Sequence, residues 1–196
     1  AAVADRRALC IRGGGTKDFY GQAPVGDRLD MRGYRGIASY EPTELVITAR
    51  CGTPLAEVEA ALAERGQMLA FEPPGFGDAA TIGGVVAAGL SGPRRASAGA
   101  VRDFVLGATL LDGAGRVLAF GGQVMKNVAG YDVSRLACGS LGILGPIVEV
   151  SLKVLPIPMA GCTVRLALDE SEALRALNAW SGQPLPVSAS LWCDGS

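Results

Sequence analysis

The chain has 196 residues, a net charge of −1, 49% hydrophobic and 19% charged residues, 28 Gly, 5 Cys and no His. This length and apolar content suit one domain or two small ones with a real core, and argue against disorder. The absence of imidazole excludes a Ser-His or Cys-His nucleophile pair, His-ligated zinc and a His general base within this chain.

The longest apolar stretch, residues 82–90, is short and broken by glycine, far below the ~20 residues of a membrane span. No signal-peptide pattern opens the sequence, so a soluble protein without a transmembrane segment is expected. Charges are mixed with no basic run, which leaves no electrostatic footprint for nucleic acid. Cys10, Cys51, Cys138, Cys162 and Cys193 are scattered without a CxxC pair, so no metal site is expected and reduced thiols in the cytoplasm are. Glycine at about twice its ~7% average is the abnormal count.

In chain order, residues 8–11 predict a strand that runs into Arg12-Gly13-Gly14-Gly15-Thr16-Lys17, and residues 45–49 a second strand. A helix is expected next, with Thr53 as N-cap, Pro54 at its first position, Leu55, Val58 and Leu62 on one face and Gly66 beyond its end. A strand at 68–71 follows, and Pro73-Pro74-Gly75 breaks the pattern. Thr81-Ile82-Gly83-Gly84 reads as a capped helix start, residues 104–111 and 116–120 as a hairpin, and 131–138 as a short helix. Alternation over 148–154 predicts a half-buried strand. Beyond it, a strand over 162–168, a helix with an Asp169/Glu172 capping box that buries Leu174 and Leu177, and a strand over 187–192 are expected. The resulting division is a first α/β lobe over 1–75, a second over 76–160, and the beginning of a further domain over 161–196.

Two glycine segments carry the chemistry. Small residues at 13–15 expose backbone N–H groups that can form a concavity for a pyrophosphate, with Arg12 and Lys17 adding charge. Gly-Lys-Ser/Thr is absent and the third glycine of GxGxxG would fall on Asp18, so neither a P-loop nor a Rossmann fingerprint is present. A tight surface turn is the alternative. At Thr81-Ile82-Gly83-Gly84, a helix N-terminus with glycine donors suits an anion, and a helix packed closely on a sheet is the alternative.

The ordered series of Arg12-Gly13-Gly14-Gly15-Thr16, Pro73-Pro74, Thr81-Ile82-Gly83-Gly84, residues 99–107, residues 121–132 and residues 139–156 resembles the FAD-binding domain of the vanillyl-alcohol oxidase / p-cresol methylhydroxylase (PCMH-type) superfamily. The resemblance covers about 1–158, and within it the chain is similar to the E-subunit family of bacterial glycolate oxidases. It implies an α+β fold: two α/β subdomains holding an extended FAD, followed by the start of a truncated cap domain. It places Arg12, Gly13, Gly14, Gly15, Thr16 and Lys17 at the pyrophosphate and Pro74, Thr81, Ile82, Gly83 and Gly84 toward the flavin. Gly99, Val101 and Ile147 would pack on the cofactor, and Lys126-Asn127 and Tyr131-Asp132 would approach the flavin or form a surface turn. Relatives that tether FAD do so through His or Cys. With no His, and no Cys in 92–99, noncovalent FAD is expected. Ile143 replaces a Thr of the family's GSxGTLG pattern, and Pro146 removes an N–H.

The implied function is an FAD-dependent subunit of a complex that oxidises glycolate, a 2-hydroxy acid, to glyoxylate, in an electron-transfer or assembly role beside a paralogous catalytic flavoprotein and an iron–sulfur subunit. A cytoplasmic location follows, with partner subunits as a route to the inner face of a membrane. A flavin-free scaffold that kept the fold for subunit interaction is the alternative. No residue is identified as a substrate base.

Overall fold

A computed structural model describes residues 2, 4–122 and 131–194. Strands β1 (Leu9–Arg12) and β2 (Asp27–Asp30) form a parallel pair, joined by the glycine loop. Strands β3 (Ile37–Glu41) and β4 (Val46–Arg50) form an antiparallel hairpin. Helix α1 (Leu55–Ala63) follows, burying Leu55, Val58 and Leu62, and then the two-residue strand β5 (Gln67–Met68), shorter than the expected 68–71. After the proline break come α2 (Ile82–Ala88), α3 (Arg95–Ala98), α4 (Val101–Phe104), the hairpin β6 (Val105–Leu111) and β7 (Val117–Gly121), α5 (Val133–Ala137), β8 (Ile147–Lys153), β9 (Leu155–Pro156) and α6 (Glu170–Ser181).

Among the described residues the main sheet has five antiparallel strands in the order β3-β4-β8-β6-β7. It takes β3 and β4 from before the proline break and β8, β6 and β7 from after it. The join is the pairing of β4 with β8, in register from Val46 opposite Lys153 to Arg50 opposite Glu149. Both of these strands are buried on two faces: β4 from Val46 to Ala49, and β8 at Val150, Ser151 and Leu152. Thr48 and Ser151 meet across them with hydroxyl oxygens 2.8 Å apart, so the buried polar groups satisfy each other. Phe71, Val85, Val86, Val101 and Phe104 pack the helices onto this sheet. The mixed helix and sheet architecture matches the expected α+β class.

Three local expectations differ. Pro54, not Thr53, occupies the cap position of α1. The fully buried Thr53 hydroxyl accepts from the Gly36 N–H at 2.8 Å and donates to the Arg50 carbonyl at 2.6 Å, tying two chain turns together instead of starting the helix. Residues 162–168 and 187–192 do not form strands. They are largely exposed and their backbone lacks a ladder partner among the described residues; an alternating pattern makes a strand only where another strand pairs with it. The capping box of α6 is present, with the Glu172 N–H donating to Asp169 at 2.8 Å, but the helix buries Ala173 rather than Leu174, which is 56% exposed. No helix of the described residues is long and apolar enough to cross a membrane.

Candidate functional site

The loop after β1 runs alongside the segment that leads into α2. A β-carbon on Gly13 would lie 2.4 Å from Thr81 Oγ1, one on Gly14 would lie 1.6 Å from the Ala79 carbonyl oxygen, and one on Gly77 would lie 3.6 Å from Thr16 Cγ2. Farther out, Lys17 Nζ reaches the Gly75 carbonyl at 3.4 Å, and the rings of Phe19 and Phe76 meet with centroids 5.0 Å apart. Taken together, 13 meets 81, 14 meets 79, 16 meets 77, 17 meets 75 and 19 meets 76. The loops are therefore aligned antiparallel, and a side chain at Gly13 or Gly14 would drive them apart.

The two segments differ in what their backbones can offer a ligand. Among the described residues, the N–H groups of Gly13, Gly14, Gly15, Thr16 and Lys17 donate no hydrogen bond to the protein. The five residues are half-buried, and at the edge of the loop these amides are left without a protein acceptor among the described residues. Arg12 strengthens the case: its guanidinium packs on Gly15 and pairs with Asp18, yet its Nε is buried with no partner. Successive free amides beside an orphaned guanidinium nitrogen suit an oxyanion such as a pyrophosphate. Burial holds the Lys17 ammonium below the ordinary lysine range, because its charge is partly stripped of water.

The start of α2 is different. Thr81 caps it through Oγ1, which accepts from the Gly84 N–H at 3.2 Å. The Ile82 N–H donates to the Thr53 carbonyl and the Gly83 N–H to the Cys51 carbonyl, so these amides are already used. Gly83 is required for contact, since a β-carbon there would sit 2.5 Å from Cys51 Cβ. For these donors the structure shows the close-packing alternative.

A small cleft of about 80 Å³ lies between these parts. Gly13, Thr81, Gly83, Gly84 and Ile147 line it together. Gly14, Gly15, Thr16, Lys17 and Arg12 continue from its edge along the loop, and Pro74 precedes the Gly75 carbonyl that Lys17 reaches. Ile82 and Val101 are fully buried in the core, and Gly99, at φ +106°, ends α3 beside Asp103. Asp132 caps α5 and pairs with Arg135, and Tyr131 is 95% exposed. Lys126 and Asn127 lie outside the described residues.

Ile11, Met31, Cys51, Ala87, Leu141 and Gly142 also line the cleft and were not singled out as site residues from the sequence. Leu141 and Gly142 carried a signal in the Gly139-Ser140-Leu141-Gly142 repeat. Met31 and Cys51 carried none, because strand ends far apart in sequence bring them in. Burial pushes the Cys51 thiol far up, which keeps it protonated and unreactive.

A profile described as the FAD binding domain matches residues 1–121. The chain is 53% identical over 195 residues to glycolate oxidase subunit GlcE of Escherichia coli (strain K12), covering 100% of this chain and 56% of that protein. It is 32% identical over 168 residues to glycolate oxidase subunit GlcD of Bacillus subtilis (strain 168), covering 85% of this chain and 35% of that protein. The chain thus spans about half, and about a third, of the length of these relatives. Among solved structures, an alkyldihydroxyacetonephosphate synthase superposes with a TM-score of 0.65 at 24% identity, covering 81% of this chain and 29% of that one, a likeness of fold.

Proposed function

The chain belongs to the FAD binding domain family, and from that premise we propose that it is the FAD-binding part of a subunit in a complex that oxidises glycolate to glyoxylate. The observation that carries the cofactor's position is the run of amides at 13–17 that find no protein acceptor among the described residues, beside the Arg12 Nε, which finds no partner there either. In this reading those amides, the Thr16 hydroxyl, Arg12 and Lys17 hold the pyrophosphate. Thr81, Gly83, Gly84 and Ile147 form the wall along which the rest of the molecule lies, and in the same reading Pro74, Ile82, Gly99 and Val101 meet the cofactor through their backbone.

Bound FAD supplies two-electron redox chemistry that no side chain here provides. The protein's part is to neutralise the diphosphate, exclude water along the cleft and hold the cofactor in one pose. FAD is held noncovalently: the chain has no His, and the cleft's own thiol, Cys51, is buried and protonated. Similarity to both the GlcE and GlcD subunits supports assembly beside a paralogous flavoprotein; an iron–sulfur subunit as electron acceptor is the further part of this reading. The chain's location is cytoplasmic, at the membrane's inner face when partners carry it there. Along the sequence, 1–75 and 76–160 contribute one glycine segment each and share the main sheet, and 161–196 belongs to a further cap unit, which the exposure of Val164, Leu166 and Leu191 supports.

The test is a visible absorption spectrum of the purified protein before and after adding FAD, followed by acid precipitation. Flavin bands that leave with the acid supernatant support noncovalent FAD. No uptake at high added FAD would favour a flavin-free scaffold, and bands remaining in the pellet would overturn the noncovalent assignment.

A further inference from the structure

Between the two aligned loops, 13–19 and 75–81, the described residues make no backbone hydrogen bond. The second loop is anchored: the Leu55 N–H donates to Ala80 and the Ile82 N–H to Thr53, both at the head of α1. The first hangs from the parallel pair through the Met31 N–H bond to Arg12 and closes on itself through the Tyr20 N–H bond to Lys17. The glycine end is held by close contact alone, and the open end by three side chains. Phe19 and Phe76 meet edge to face at 75°, and Lys17 Nζ lies 5.7 Å from the Phe76 centroid.

Phe76 is the informative residue. Its φ of +54° is a conformation that a bulky side chain adopts at a cost, and its ring is 55% exposed, so core burial does not offset that cost. Phe19 is 66% exposed. Two half-solvated rings, one on a strained backbone, touch each other across the seam between loops rather than entering the core. We infer that Phe19 and Phe76, with Lys17 against the Phe76 ring, form a latch that closes the open end of the seam over the phosphate loop and sets how fast the cofactor leaves.

This inference rests on the FAD reading, and the rings are positioning residues that act through the loops they join. The test uses the FAD-loaded protein and follows recovery of free-flavin fluorescence after dilution, for the unsubstituted chain, Phe19→Ala, Phe76→Gly and the double variant. Glycine accepts φ +54° freely, so Phe76→Gly removes the ring without adding backbone strain. Each single substitution is expected to speed release about 3- to 10-fold, the double no more than about twofold beyond the faster single, because the rings act as one unit. The melting temperature of the FAD-free Phe76→Gly protein should not fall, which separates a latch from a structural contact. Release rates within about twofold of the unsubstituted protein in all three variants, or a double variant whose effect is the product of the singles, would overturn the latch while leaving the FAD reading intact. Failure of the unsubstituted chain to take up FAD would overturn both together.

Discussion

Gly14 shows how one residue type served two purposes that look alike in sequence. Both glycine segments read as donors to an anion, yet only 13–17 keeps its amides free, while those of Ile82, Gly83 and Gly84 are spent on Thr53, Cys51 and Thr81. The run of glycines was legible; which amides stay free was not, because that depends on carbonyls supplied by the turn before α1. Gly14→Ala places a methyl 1.6 Å from the Ala79 oxygen, so it should lower stability by about 3 kcal/mol and abolish flavin retention, readable by thermal melts and absorbance. Lys17 gives a pH signature. Its folded pKa lies below the ordinary 10.5. Between those two values the folded state has lost the proton and the unfolded state keeps it, so FAD-free stability rises with pH across that window. Affinity for a diphosphate needs the charged amine and falls as pH rises past that lowered folded pKa. Lys17→Met should flatten both slopes, measured by FAD titrations and melts from neutral to alkaline pH.

Helix α2 was correctly read down to its cap, because Thr followed by Ile-Gly-Gly before an apolar run carries the signal locally, and Gly89 closes it at φ +68°. Thr81→Val keeps the shape and removes the acceptor of the Gly84 N–H, so a loss of about 1 kcal/mol is expected in chemical denaturation, with weaker FAD binding because the same residue lines the cleft. Thr53 carried the same local signal ahead of α1 and does something else. Its hydroxyl is captured by the Arg50 carbonyl three residues back and by the Gly36 N–H, which the β3–β4 hairpin brings in from 17 residues away. The hairpin of β6 and β7 was legible for the opposite reason: Asp112 accepts from the Ala114 and Arg116 N–H groups, so its turn is built from adjacent residues.

Across the molecule, the five-stranded sheet is held by contacts distant in sequence, whereas 162–194 touches the rest sparsely, as through the Ser97 hydroxyl bond to the Ser188 carbonyl at 2.8 Å, and adds none of its residues to the main core cluster. Deleting 162–194 should therefore shift the melting temperature by less than about 5 °C and leave FAD uptake unchanged, as few buried groups are lost. A larger drop, or lost uptake, would mean that this segment braces the cleft. The sequence by itself determined the elements whose signals are local: the cap of α2, the β6–β7 turn, the alternation of β8, the capping box of α6, and a glycine loop with neither the P-loop nor the Rossmann pattern. Tertiary structure alone decided that β4 pairs with β8, that 13–19 lies against 75–81, and that Met31 and Cys51 join the cleft. The physical reason is that hydrogen-bonding capacity is written into each residue, while the partner that uses it is chosen by whichever distant segment the core brings within reach.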